Sequence, residues 1–143
     1  LKKLLWGTAI AALLLVAFVA SIMIASEAGE EIVMVRTYAA DGSPRETRLW
    51  VVDDGGFAWL RSGTESGWLE RIRQNPSVEM ERGGQTRRYR AVPVPGDAAR
   101  DRIHALMREK YGLADRWISF TIPRDGSVAV RLEPEEPAPE TRG

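Results

Sequence analysis

The turn Asp54-Gly55-Gly56 divides two short apolar runs, and it constrains the fold of this chain more than any other feature. Glu46 to Asp53, centred on Leu49, Trp50, Val51 and Val52, precedes it; Gly56 to Ser62 follows, with Phe57, Trp59 and Arg61 alternating against Ala58 and Leu60. Alternation of this kind predicts strands, and so tight a glycine turn joins them as a hairpin. The pattern recurs. Ile32 to Ala40 reads as a strand before Asp41-Gly42-Ser43-Pro44, and Ser77 to Glu81, with Val78 and Met80 on one face, as a strand before Arg82-Gly83-Gly84-Gln85. Thr86 to Val94 and, after Asp125-Gly126, Ser127 to Glu133 complete the set.

Two helices are predicted among these strands. Ser66 to about Gln74 carries an apolar stripe of Trp68, Leu69 and Ile72, with Glu70, Arg71, Arg73 and Gln74 facing water. Pro76 disfavours helical geometry at Asn75 and ends it. Asp97 to Tyr111 has Asp97 as N-cap, a buried side of Ile103, Leu106, Met107 and Tyr111, and Gly112 as C-cap. Leu113 to Ile122 reads as a short helix around Asp115-Arg116-Trp117 leading into extended chain. Short strands joined by hairpins, with one helix inserted, predict a mainly β fold: a small antiparallel barrel rather than a parallel doubly wound sheet.

Ahead of this domain, Leu4 to Ala25 is 22 residues without a charge. As a helix it would span roughly 33 Å, about the hydrocarbon thickness of a bilayer. Lys2 and Lys3 precede it, and Glu27, Glu30 and Glu31 follow it. The expectation is a single-pass transmembrane anchor over 1–26, N-terminus cytoplasmic, with the barrel domain over 27–133 outside and a disordered, proline- and glutamate-rich tail over 134–143. Cleavage as a signal peptide, with Ser26-Glu27-Ala28 as the small-residue site, is the alternative; its usual apolar core of about 7–15 residues is shorter.

Composition removes several function classes. Twenty basic residues balance 20 acidic ones, so no nucleic-acid partner is expected. Cysteine is absent, which excludes disulfides, thiolate metal sites and cysteine nucleophiles. His104, the one histidine, lies off the main apolar stripe and is expected at the surface, with no partners for a metal site or a serine–histidine triad. Arg87, Arg88 and Arg90 alternate across a strand and form no single patch. Asp53-Asp54 is turn chemistry, and Tyr111 and Trp117 are core packing. No residue stands out as an obligatory catalytic acid or base.

One constellation remains. Arg61, Ser62, Gly63, Thr64 and Ser66 cluster where a strand feeds a helix. A helix N-terminus presents unpaired backbone N–H groups and partial positive charge. Hydroxyls, an unhindered backbone and a forked guanidinium added there would hold a phosphate. The same residues also suit a plain cap by Thr64 or Ser66 with Arg61 in solvent.

The stretch Thr47 to Val94, "TRLWVVDDGGFAWLRSGTESGWLERIRQNPSVEMERGGQTRRYRAVPV", resembles the split β-barrel flavin-binding superfamily. This superfamily includes the pyridoxamine phosphate oxidases and the deazaflavin-dependent nitroreductases and quinone reductases. The shared pattern is a hairpin, a strand ending in Ser or Thr, a helix ending in Asn-Pro, and a strand of the form "SVEM"; it extends over about Val33 to Glu133. The resemblance implies a homodimer with a flavin, FMN or a deazaflavin coenzyme, lying along the second and third strands at the interface. Its phosphate would sit near the start of the inserted helix. By position, Arg48 matches a phosphate-binding arginine, Ser62 a hydroxyl residue at the strand end, and Ser66 a phosphate-binding serine. The backbone from Leu49 through Trp50 to Val51 would face the ring. Gly67-Trp68 stands where the oxidases carry a basic pair; Trp68 is closer to the deazaflavin branch, and its spacing with Leu69 and Ile72 also makes it a core anchor.

The resulting expectation is a membrane-anchored oxidoreductase that moves hydride or electrons to a small-molecule acceptor such as a quinone or nitro compound. The alternatives are an anchored, non-catalytic binding or assembly module that has lost the cofactor, and a carrier of another flat ligand such as haem, with His104 as axial ligand.

Overall fold

The computed structural model divides into two compact units, Leu1–Glu30 and Glu31–Gly143. It describes residues 1–28, 31–112, 114–115 and 126–135; of the N-terminal helix, the side chains at positions 4, 5 and 22–28 lie outside that description.

The second unit contains β1 (Ile32–Tyr38), β2 (Pro44–Asp54), β3 (Phe57–Gly63), α2 (Gly67–Gln74), β4 (Ser77–Arg82), β5 (Gln85–Val94), α3 (Asp97–Tyr111) and β6 (Ser127–Pro134); α1 of the first unit is Lys2–Ala28. The strands close into a barrel in the order β1-β2-β3-β6-β5-β4, and every adjacent pair is antiparallel. The mainly β antiparallel barrel expected from the hairpins is therefore present. Gly55 and Gly56 have φ of 61° and 83°, and Gly83 and Gly84 have 57° and 76°. Positive φ at both central positions gives a turn whose twist matches that of the flanking strands, which is why glycine pairs stand there.

The barrel interior holds one core. Val33 and Val35 of β1, Val51 of β2, Leu60 of β3, Val78 and Met80 of β4, Ala91 of β5, and Val130 and Leu132 of β6 pack with Trp68, Leu69 and Ile72 of α2. The inserted helix thus fills the barrel with its apolar stripe. A second cluster lies on the outer side, where Ile103, Met107 and Tyr111 of α3 pack on Val52 and Ala129, with Trp50 and Trp59 beside them.

Two seams of the barrel are short: that of β1 with β4, which pair only from Met34↔Glu81 to Arg36↔Glu79, and that of β2 with β3. β2 pairs β1 over its whole first half, from Ile32↔Trp50 to Tyr38↔Pro44. Its pairing with β3 runs only from Asp54↔Phe57 to Val51↔Leu60. Arg61, Ser62 and Gly63 pair with β6 alone. Beyond Leu60 the β2–β3 ladder ends, and Ser62 of β3 contacts Ser66 at the start of α2.

Several expectations need correction. Gly96, not Asp97, is the N-cap of α3. His104 is buried, 5% exposed. Arg71 does not face water alone: its Nε–H donates to the buried Thr37 Oγ1 at 2.8 Å. Pro134 belongs to β6, and Glu135 is tied down through its N–H to Arg88 O at 3.1 Å and by Ser77 Oγ donating to its carboxylate at 3.2 Å. Trp117, most of Leu113 to Ile122, and the tail from 136 on lie outside the described residues.

The membrane-spanning helix is likewise not found among the described residues, where no helix is long and apolar enough to cross a membrane. The apolar side chains described in α1 lie between positions 6 and 21. They are exposed, Leu13 at 70% and Phe18 at 63% among them.

Candidate functional site

The turn from β3 into α2 gathers part of the expected constellation. Ser62 is the last inward-facing residue of β3 and is 2% exposed. Its hydroxyl donates to Gly63 O at 2.9 Å and lies in short hydrogen-bond contact with Ser66 Oγ. Ser66 is the N-cap of α2 by backbone geometry, φ −72° and ψ 140°, yet its side chain makes no capping bond. The hydroxyl that ordinarily satisfies the first helical amides is turned toward Ser62 instead. Gly63 and Thr64 hold the turn: Ser66 N–H donates to Gly63 O at 3.2 Å, and Thr64 N–H to Gly126 O at 2.9 Å.

Arg71 completes this cluster. Helical side chains lean toward the N-terminus, so residue i+4 covers residue i. Arg71 accordingly lies back over Gly67, and a β-carbon on Gly67 would come within 3.1 Å of Arg71 Nη1. Nε is fixed by Thr37; among the described residues neither Nη group has an acceptor. A guanidinium, two hydroxyls and the first amides of an eight-residue helix lie together there, with Gly67 leaving the Arg71 head group its place. That donor set fits an anionic oxygen group such as a phosphate.

Other expected members lie elsewhere. Adjacent strand residues face opposite sides, so Arg61, next to Ser62, points out of the barrel toward α3. Its Nη2 donates to Asp115 Oδ1 at 2.8 Å, and its Nη1 donates to His104 Nδ1 at 3.0 Å. Arg61 is 11% exposed and Asp115 1%, so the pair is buried and does not reach the Ser62–Ser66 cluster. Arg48 is exposed on β2 and lines an open pocket of about 270 Å³ with Ile32, Met34, Glu81, Gly83 and Gly84. Trp68 is 5% exposed in the barrel core, which explains it as packing. Leu49 packs against the same core.

The ring-facing role expected of the β2 backbone is restricted. Tyr111 Oη accepts from Val51 N–H at 3.2 Å and lies 2.8 Å from Val51 O, to which Lys110 Nζ donates at 2.9 Å. Val51 is therefore engaged by α3, while the Trp50 side chain stacks on Tyr111 with centroids 4.5 Å apart. Burial holds the Tyr111 phenol above its ordinary pKa, opposed by the Val51 hydrogen bond and by Lys110. His104 has both ring nitrogens in hydrogen bonds, Nδ1 to Arg61 and Nε2 to Ser127 Oγ at 2.6 Å, which corrects its expected availability as an axial ligand.

Arg71 was not expected at this site, and its signal was present: a basic residue four positions after a glycine at a helix start.

Among solved structures, similarity extends to the haem storage protein HutZ of Vibrio cholerae (17% identity, 82% of this chain and 90% of that one, TM-score 0.61). It extends also to a conserved hypothetical protein of Mycobacterium tuberculosis (20%, 80% of each chain, 0.61) and to an F420-H2 dependent reductase, FDR-A (21%, 71% and 93%, 0.55). At these identities the likeness establishes the fold. No curated protein matches the sequence. The family model described as F420H(2)-dependent quinone reductase matches residues 19–130, which makes the cofactor a deazaflavin or flavin and the chain's chemistry that of a deazaflavin oxidoreductase. With most of its length inside that match, the chain belongs to the F420H(2)-dependent quinone reductase family.

Proposed function

We propose that the protein reduces a quinone with a deazaflavin coenzyme whose phosphate is held at the start of α2. The observation that carries this reading is the Arg71 guanidinium lying over Gly67 beside the Ser62–Ser66 hydroxyl pair. Ser62, Ser66, the Gly67 amide and Arg71 bind and orient the coenzyme, and the parted strands β2 and β3 admit the ring. A reduced deazaflavin held there would supply the hydride that, with one proton, takes a quinone to its hydroquinone, the deazaflavin ending oxidised. The acceptor class follows from the family description; a nitro compound is the other acceptor the resemblance implies.

A membrane anchor through α1 is part of this proposal and rests on sequence: Leu4 to Ala25 carries no charge and follows Lys2-Lys3. Exposed side chains such as Leu13, Val16 and Phe18 also favour an apolar surrounding. The lysines put the N-terminus in the cytoplasm and the barrel outside. A homodimer, implied by the resemblance, is proposed with it.

A non-catalytic barrel is the second reading. Gly67-Trp68 in place of a basic pair, and the closure of the Val51 backbone by Tyr111 and Lys110, favour it.

The test uses the full chain in detergent, mixed with reduced coenzyme F420 and a soluble quinone. Quinone-dependent return of the oxidised deazaflavin absorbance supports the reductase. A colourless protein that binds neither F420 nor FMN establishes the non-catalytic barrel.

A further inference from the structure

On the outer face of β3, directly behind Ser62, four side chains from four places in the chain form a buried hydrogen-bonded series. Asp115 accepts from Arg61 Nη2 at 2.8 Å, Arg61 Nη1 donates to His104 Nδ1 at 3.0 Å, and His104 Nε2 lies 2.6 Å from Ser127 Oγ. His104 is 5% exposed and Ser127 6%. The chemistry fixes the direction of these bonds. A guanidinium has only donors, so Nδ1 accepts, the neutral imidazole carries its proton on Nε2, and Nε2–H donates to Ser127 Oγ. That tautomer has no lone pair toward Ser127, so His104 does not activate the serine as a nucleophile; a serine–histidine hydrolase needs the opposite one.

The series instead closes a circuit around the anion site. Gly63 is the Cα partner of Ser127 in the β3–β6 ladder, and Thr64 N–H donates to Gly126 O at 2.9 Å. From Arg61 the path runs across α3 through His104, down to Ser127, across to Gly63, and back along β3 through Ser62. Each side of Ser62 is therefore anchored, Arg61 by α3 and Gly63 by β6. The hydroxyl of Ser62 and the turn that launches α2 sit inside that circuit.

We propose that His104 is a positioning residue: through Arg61 and Ser127 it holds the β3–α2 turn in the geometry that binds the coenzyme's phosphate. The proposal rests on the phosphate reading above. Removing Arg61 or Asp115 would strand a buried charge and strongly destabilise the chain, so the informative changes are neutral. Glutamine can replace both nitrogens of this tautomer, its oxygen accepting from Arg61 and its amide donating to Ser127. Leucine replaces neither. Ser127→Ala removes the hydroxyl that accepts from His104 Nε2 and serves where His104→Leu folds poorly.

The experiment compares the affinity of the full chain for coenzyme F420 and for its phosphate-free deazaflavin core, by fluorescence titration. The expected result is that His104→Leu and Ser127→Ala lose about tenfold in affinity for F420, equivalent to about 1.4 kcal/mol, keep their affinity for the core, and that His104→Gln restores the difference. Loss of affinity for both ligands alike, or none for either, overturns the proposal and shows His104 to be packing. A wild-type chain that binds the core as tightly as F420 overturns the phosphate reading itself, and the proposal with it.

Discussion

Arg71 covers Gly67 one helical turn behind it, close enough that a β-carbon on Gly67 would sit 3.1 Å from Nη1. Gly67→Ala should therefore push the guanidinium aside while leaving the helix intact, because alanine is the better helix former. Coenzyme affinity should fall about tenfold, consistent with a weakened charge-assisted hydrogen bond, and the thermal midpoint should hold or rise slightly. Paired titration and thermal melts check both halves.

Ser66 distinguishes a cap from a ligand. An N-cap serine changed to alanine ordinarily costs ~1 kcal/mol. Ser66 makes no capping bond with its side chain, and Ser62, its partner, retains Gly63 O as an acceptor. Ser66→Ala should cost about 0.5 kcal/mol or less in denaturant unfolding yet weaken binding of the phosphate-bearing coenzyme. A full capping loss with unchanged binding would return Ser66 to the role of a plain helix cap.

Arg82 joins the first residue of the barrel unit to the β2 hairpin: it donates to Glu31 at 2.9 Å and to Asp53 at 2.7 Å, while Lys110 also donates to Glu31 at 2.6 Å. Its hydrogen bonds hold both carboxyls below their ordinary pKa values, partly opposed by burial. A depressed folded-state pKa adds stability that is complete above the unfolded value and is lost as pH falls through the folded one. The thermal midpoint should thus drop as pH falls below about 4, and Arg82→Met should flatten that slope. Glu31 and Asp53 are 38% and 59% exposed, so solvent limits each pair to about 1 kcal/mol or less.

Tyr111→Phe keeps the ring stacked on Trp50 but removes the hydroxyl shared by Glu31 O, Val51 O and Val51 N–H. The buried amide of Val51 then lacks its acceptor, and stability should fall by about 1–3 kcal/mol. Because burial raises the Tyr111 pKa, the unfolded tyrosine ionises first as pH rises. Its contribution is complete below about 10 and is lost above it; the phenylalanine variant should lack that alkaline loss in melts recorded across this range.

The strands, the glycine turns and the α2 stripe were legible because each depends on neighbours in sequence: a period of two, a period near 3.6, or a residue that tolerates positive φ. The faces of single polar residues were less so. Arg61 and Ser62 could not serve one pocket, and strand alternation alone excludes it, as it did for Arg87 to Arg90. His104 looked like a surface residue because its burial depends on Arg61, 43 positions away, and no local pattern reports that contact. Arg71 was hidden by assigning it to the wet side of α2, when the lean of a helical side chain carries its head back to the first turn.

The early end of the β2–β3 ladder at Val51↔Leu60 has a cost that all-β proteins must manage. Sheet borders left without a neighbour are templates for strand addition by another molecule. A coenzyme held in that gap, as proposed, would act as a seal as well as a reagent, and the empty protein would be the form with the greater tendency to stick to itself.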